Sequence, residues 1–387
     1  MAGGSRAAAV AIARMRELSG ELPDQFARGF ARGMELAQTL RAGPEQTVYV
    51  VGMGGSGAAG EFARSLIERE SRIHYYCIHA PEIPERVGPD SCVILLSYSG
   101  ETWEVLRARE QASRRSARTI AITSGGELGR LEEEEGGAVL ALPPGLPPRS
   151  AIGFTFGGLL GLLDSVFPET LEDRVTRARA ALESYRRSID SRRGPARRIA
   201  SRIGGRMAFV YGETALAAVA RRWVTSIEEN AKQLAEWGSI PEVMHNSIVG
   251  WDAVAPTMSR GLASIILEWG GTAPVLRQAS DFLARTLVRR GCRNESVTLP
   301  SDDLLEASLQ GIVLGDSVSL AVAERQGTDP LHIEAISRYR EWMARADDRR
   351  ETHHTRDCHD YNRTERVACA SFRRPARGGR QRPRVRW

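Results

Sequence analysis

Thr47–Gly57 reads TVYVVGMGGSG: a short apolar run rich in valine, a cluster of glycines, and a helix-forming stretch from about Ala58. A strand that runs into a glycine loop and then a helix is an anion-binding arrangement. Glycines let the backbone approach a ligand closely, and the free N–H groups of a helix start meet negative charge. GMGGSG also fits G-x-G-x-x-G, the dinucleotide fingerprint, which alone is weak evidence. A dinucleotide site needs an acid at the end of the second strand to hold a ribose. The next strand-like run, Arg72–Ile78, is followed by His79, Ala80 and Pro81, and Glu82 comes only after the proline. The sequence thus points away from a nicotinamide cofactor and toward a phosphate.

A second loop agrees. Cys92–Leu96 (CVILL) has the pattern of a buried strand and leads into Ser97-Tyr-Ser-Gly-Glu-Thr102, before a helix carrying Trp103 and Val105. One hydroxyl here would serve as a helix cap. Three hydroxyls with a glycine favour a second anion cradle. Thr119–Thr123 (TIAIT) and Ala138–Leu142 (AVLAL) add further strands. Five short apolar strands alternating with helices predict an α/β doubly wound parallel sheet. Ligands of such sheets lie beyond the strand C-termini, where both loops fall. Upstream, residues 5–42 read as helical with a hook around Glu21–Pro23. Downstream, Leu146–Gly153 (LPPRSAIG) presents Arg149 after a proline-stiffened loop.

Strand–GxGGSG–helix followed by strand–SxSGxT–helix resembles the sugar isomerase (SIS) domain, a fold that binds phosphosugars. PR-x-A-x-G narrows the resemblance to the bifunctional phosphoglucose/phosphomannose isomerases, in which this segment supplies an active-site arginine. The resemblance covers roughly residues 25–345, with the EENAK and HN motifs described next in the same order. It implies two SIS-type domains, 1–168 with the phosphosugar loops and 206–345 with the catalytic groups; between them 169–205, arginine-rich and polar at helical spacing with a Gly194-Pro195 break, reads as a helical connector. Gly55, Ser56, Ser97, Ser99 and Thr102 would hold the phosphate, and Arg149 would face the sugar.

The second half supplies groups for proton transfer. Met207–Tyr211 (MAFVY) begins a new α/β unit, with further strands at Ala263–Leu267 and Ser296–Leu299 and a helix over Thr214–Ala235. That helix contains Glu228-Glu-Asn-Ala-Lys232, and His245 follows in HN. The resemblance implies that Glu229 is the base and that a partner subunit of a homodimer provides the histidine. Lys232 is the only lysine; the other 52 basic residues are arginine. Its spacing predicts an ion pair with Glu228 or Glu229. The family carries another lysine on its last helix, entered by a DP step. Here Asp329-Pro330 is followed by Leu331, and only Arg338 and Arg340 stand near that position.

Composition sets the remaining bounds. The chain has 387 residues, 42% hydrophobic and 26% charged, enough to bury a sizeable core. No apolar run suggests a membrane span, and the N-terminal stretch reads as a helix rather than a signal peptide. Five cysteines without a CxxC pair suit a reduced, cytoplasmic protein. The net charge of +5 belongs to the tail: from Ala346 there are twelve arginines and six acids, which leaves −1 elsewhere. Nothing in the body therefore calls for specific nucleic acid. The tail, 346–387, reads as disordered, and its His353, His354, Cys358 and His359 lack a second ligand pair at zinc spacing. The expectation is a phosphosugar isomerase with no cofactor and no metal. A sugar-phosphate-sensing SIS protein is the alternative class, but no helix-turn-helix segment precedes the sheet. An amino-sugar isomerase would add a glutaminase domain with an N-terminal cysteine, for which this chain has no room.

Overall fold

A computed structural model describes residues 2–37, 47–191 and 193–343. The N-terminal stretch forms two helices, α1 (Ala2–Gly20) and α2 (Leu22–Leu36). Pro23 stands in the first turn of α2, where a missing N–H is tolerated. The first sheet unit is β1 (Thr47–Gly52), α3 (Gly54–Glu70), β2 (His74–Ile78), β3 (Ser91–Leu96), α4 (Trp103–Arg114), β4 (Arg118–Thr123), α5 (Gly126–Glu134) and β5 (Ala138–Ala141). Its order is β2-β1-β3-β4-β5, and every pairing is parallel. Chain direction across the sheet reverses between β1 and β3. The loops after those two strands, the glycine loop and the serine loop, therefore flank one crevice.

A wholly buried helix, α6 (Ile152–Leu162), covers this sheet. The arginine-rich stretch then forms α7 (Glu172–Ile189) and α8 (Pro195–Ile203), interrupted before Gly194-Pro195. The second unit follows as β6 (Met207–Glu213), α9 (Ala217–Ala231), β7 (Ala235–Ile240), α10 (Ser247–Ala253), α11 (Pro256–Ser259), β8 (Leu262–Trp269), α12 (Pro274–Arg289), β9 (Arg293–Leu299) and α13 (Leu304–Gln326). Its four strands are also parallel, in the order β7-β6-β8-β9. The expected strands at Ala263–Leu267 and Ser296–Leu299 lie within β8 and β9. Two expectations need correction. The helix over Thr214–Ala235 stops at Ala231, and the residues behind it form an unforeseen edge strand, β7.

α13 departs from the expectation on apolar runs. Its 23 residues are long and apolar enough to cross a membrane by length and composition, yet 94% of its apolar window is buried. It is a core helix: Ile312, Val313 and Val318 share one continuous apolar cluster with Val50 and Phe62 of the first sheet unit and Ile265 of the second. At the C-terminal edge of the second sheet the Trp269 indole N–H donates to buried Glu213 (2.5 Å). Residues through Leu331 make one compact unit, and residues 334–343 form a short helix of the second compact unit. Arg338 and Arg340 are exposed on that helix. The 346–387 tail, with its three histidines and two cysteines, lies outside the described residues.

Candidate active site

The glycine loop opens α3 by two local constraints. Gly54 adopts φ +51°, a left-handed conformation that disfavours a side chain. Gly57 packs on the end of β1, where a Cβ would overlap the Gly52 carbonyl oxygen. The first intrahelical bond runs from Gly57 N–H to the Met53 carbonyl (3.0 Å). The N–H groups of Gly54, Gly55 and Ser56 are left pointing out of the helix end, the arrangement that receives an anion.

The serine loop is knitted to it. Tyr98 N–H donates to Ser56 Oγ (3.3 Å), and the Ser97 and Thr102 hydroxyls share a hydrogen bond of 2.8 Å. Ser97 Oγ also accepts from Gly100 N–H, and Ser99 Oγ accepts from Glu101 N–H. Thr102 makes no side-chain cap for α4, so its hydroxyl belongs to the loop. Of these four hydroxyls, only the Ser97–Thr102 pair uses a proton internally. Three O–H donors remain beside the three N–H groups, a donor set suited to a phosphate monoester. The Tyr98 side chain, which sequence reasoning passed over, fixes the next piece. Its hydroxyl donates to the Pro143 carbonyl and accepts from Leu146 N–H, both at 2.8 Å, anchoring the loop that leads to Arg149.

Arg149 is buried and stands against the glycine loop: a Cβ on Gly55 would lie 3.4 Å from the Arg149 Cα. Its guanidinium donates to Asn230 Oδ1 (3.0 Å), Glu229 Oε2 (3.3 Å) and the Pro330 carbonyl (2.5 Å). Burial pulls its pKa down and the Glu229 carboxylate opposes that pull. Arginine remains a cation under such opposition. Glu229 sits near the end of α9 with its carboxyl half-buried, open on one side and held on the other.

Behind these groups runs a buried polar chain that the sequence did not reveal. Arg222 donates to the Arg149 carbonyl (2.9 Å) and to both oxygens of Asp316. Ser226 Oγ donates to Asp316, and Asn230 Nδ2 donates to Ser319 Oγ, which donates to the Asp316 carbonyl. Asn230, which receives Arg149, is thereby fixed from behind.

Gly55, Ser56, Ser97, Ser99, Thr102, Arg149 and Glu229 thus gather at one crevice. His245 does not join them within the chain. It is exposed at the end of a 3-10 turn, Glu242–His245, beyond the C-terminus of β7. Glu229 lies before the start of that strand, so the two flank opposite ends of β7, about 15–20 Å apart at the rise of a strand. Lys232 also departs from expectation. It pairs with neither carboxylate, and its ammonium donates to the carbonyls of Glu229 (2.5 Å) and Pro330 (3.4 Å).

Two family models match the chain: the SIS domain over residues 44–131, and the bacterial phospho-glucose isomerase C-terminal SIS domain over residues 192–343. A bifunctional phosphoglucose/phosphomannose isomerase of Aquifex aeolicus is 30% identical over 299 residues, covering 77% of this chain and 90% of the relative. The chain belongs to the bifunctional phosphoglucose/phosphomannose isomerase family. A member from Caldicellulosiruptor bescii is 28% identical over 81% of this chain and 94% of its own. Among solved structures, the C-terminal domain of glucosamine-fructose-6-phosphate aminotransferase from Francisella tularensis has the same fold. It superposes with a TM-score of 0.65 at 15% identity, covering 81% of this chain and 97% of that one. The family's two-sheet α/β architecture is the one described above, with the loops of the first sheet meeting the α9 end of the second unit.

Proposed function

We propose that this family member interconverts glucose 6-phosphate, and mannose 6-phosphate, with fructose 6-phosphate by side-chain proton transfer through a cis-enediolate. The observation that carries the reading is the Arg149–Glu229 pair, 3.3 Å apart, set against the glycine loop at Gly55. A phosphate held by Gly55, Ser56, Ser97, Ser99 and Thr102 fixes one end of the open-chain sugar, so its reacting carbons are presented to one carboxylate. Glu229 takes a proton from one of C1 and C2 and returns it to the other. Arg149 stabilises the oxyanion that develops on the substrate's carbonyl oxygen, and the hydroxyl proton passes between the C1 and C2 oxygens as the carbon proton moves the other way. A carboxylate suits the shuttle because it accepts and returns the same proton from one position.

Ring opening needs a group that moves a proton between the ring oxygen and the anomeric hydroxyl. His245 is the candidate, and its place beyond the far end of β7 favours a homodimer in which the partner's copy completes each site. The test is fructose 6-phosphate formation from either aldose, for the wild type and Glu229→Gln. The expected result is turnover by the wild type and a loss of about 10²–10⁴-fold in kcat for the variant. No turnover by folded wild type on either sugar rejects the reading. Full activity of Glu229→Gln rejects the role of that residue.

A further inference from the structure

We propose that Lys232 is a positioning residue of the catalytic centre, pinning the end of α9 to the Asp329-Pro330 step and holding Glu229 against Arg149. The inference rests on the isomerase reading above, and three independent features support it. The first is conformational. Lys232 ends α9 at φ 52°, ψ 36°, the left-handed region. Glycine or asparagine is the usual occupant of such a helix end, and a lysine there holds a strained backbone. The cap position alone gives no reason for a lysine.

The second feature is what the side chain touches. Lys232 Nζ lies 2.5 Å from the Glu229 carbonyl and 3.4 Å from the Pro330 carbonyl. The Pro330 carbonyl is the same atom that receives Arg149 Nη2 at 2.5 Å. One acceptor is thus shared by the cation beside Glu229 and the cation that ends the Glu229 helix. Through it the segment after α13 is fastened to both elements that form the sugar-facing side of the crevice. The α9 carbonyls at this end also carry the negative end of the helix dipole, which a cation relieves.

The third feature is chemical type. Every other basic position in the chain is arginine. An ammonium is a compact point charge with three tetrahedral donors, able to reach two carbonyls that are not coplanar. A guanidinium presents a flat fork. The charged groups acting on Lys232 are Arg149 from the loop after β5, Asp329 from the segment after α13, and Glu229 from its own helix. Burial and then Arg149 draw its pKa below that of an ordinary lysine, against the pull of Asp329 and Glu229. Losing the proton takes the charge from the pin and leaves weaker N–H···O contacts, so activity should fall on the alkaline side earlier than a free lysine would dictate.

The experiment compares Lys232→Gly, Lys232→Arg and the wild type in Tm and in the pH dependence of kcat and KM. Lys232→Gly relieves the left-handed strain, so its Tm should equal or exceed the wild type's while kcat falls at least tenfold and KM changes less than threefold. Lys232→Arg should recover part of kcat and lose the alkaline limb, because arginine stays charged. A helix cap with no other role predicts a Lys232→Gly that is stable and active. Lys232→Gly within twofold of the wild-type kcat overturns the proposal, as does an alkaline limb unchanged in Lys232→Arg. Either of these with an active wild type leaves the isomerase reading standing. An inactive wild type overturns both.

Discussion

Asp316 is the residue on which the buried side of the site depends. It lies within the apolar helix α13 and is itself buried, and both of its oxygens accept from Arg222. Arg222 in turn donates to the Arg149 carbonyl, while Ser226 and Ser319 complete the contacts that hold Asn230 beneath the Arg149 guanidinium. A buried ion pair is weak evidence for stability as such, because each charge loses its hydration. Removing one partner is a different matter, since the other charge is left buried and unpaired. Asp316→Ala is therefore expected to destabilise the fold by about 3–5 kcal/mol, read from the urea midpoint. Asp316→Asn keeps an acceptor for Arg222 and should lose less. An unchanged midpoint in Asp316→Ala would mean that Arg222 finds water, against its 3% exposure.

At the scale of elements, the closest packing is between α2 and α6. Gly29 and Gly33 of α2 sit against the α6 backbone at Phe154, Gly158 and Gly161, while Gly153, Gly157 and Gly161 of α6, one helical turn apart, sit against the α2 backbone from Leu22 to Met34. A Cβ on Gly157 would overlap the Phe26 carbonyl oxygen, and one on Gly161 would overlap that of Phe30. The clash is with backbone, which cannot step aside as a side chain can. Gly157→Ala should thus destabilise by about 2–3 kcal/mol and lower both the Tm and the urea midpoint. Since α6 begins just after Arg149, a shift there should also lower kcat. The glycine spacing was visible in the sequence, but the partner helix was not. Elements were legible where local chemistry is strong. Three strands of the first sheet, β1, β3 and β4, are short apolar runs closed by glycine or serine, and they are its most buried strands. β7 was missed because AEWGSI is an edge strand with two buried residues, at its ends, and no apolar alternation. The end of α9 was misplaced because Lys232 occupies the left-handed cap without the usual glycine signal. Arg149 and Glu229 were legible as motifs, whereas Asn230, Asp316 and Pro330 entered the site only through contacts made across 70 or more residues of chain.

For the whole molecule, the two sheet units are joined by a charged clasp as well as by their core. Arg174 of α7 donates to Glu70 at the end of α3 and to Asp303, which caps α13 through Glu306 N–H. Burial pushes the Asp303 carboxyl up, but Arg174 and the Glu306 N–H outweigh it and hold it below its ordinary value. A depressed carboxyl contributes stability that is present above its unfolded pKa and lost as pH falls through the folded one. Unfolding free energy should therefore decline below about pH 4, and Asp303→Asn should decline less steeply from a lower start. The same scale decides the place of His245. If each site takes its phosphate loops, Arg149 and Glu229 from one chain and His245 from the other, two crippled chains can rescue each other. In a dimer of Glu229→Gln with His245→Ala, one site carries both defects and the other carries neither. Mixing the two inactive variants through a dissociation and reassociation step makes about half the dimers hybrid, which restores about a quarter of the wild-type activity for a two-fold symmetric pair. Each variant alone should stay inactive under the same treatment. A mixture no more active than its components would place His245 in the site of its own chain, or outside the reaction, and the span of β7 between it and Glu229 argues for the latter.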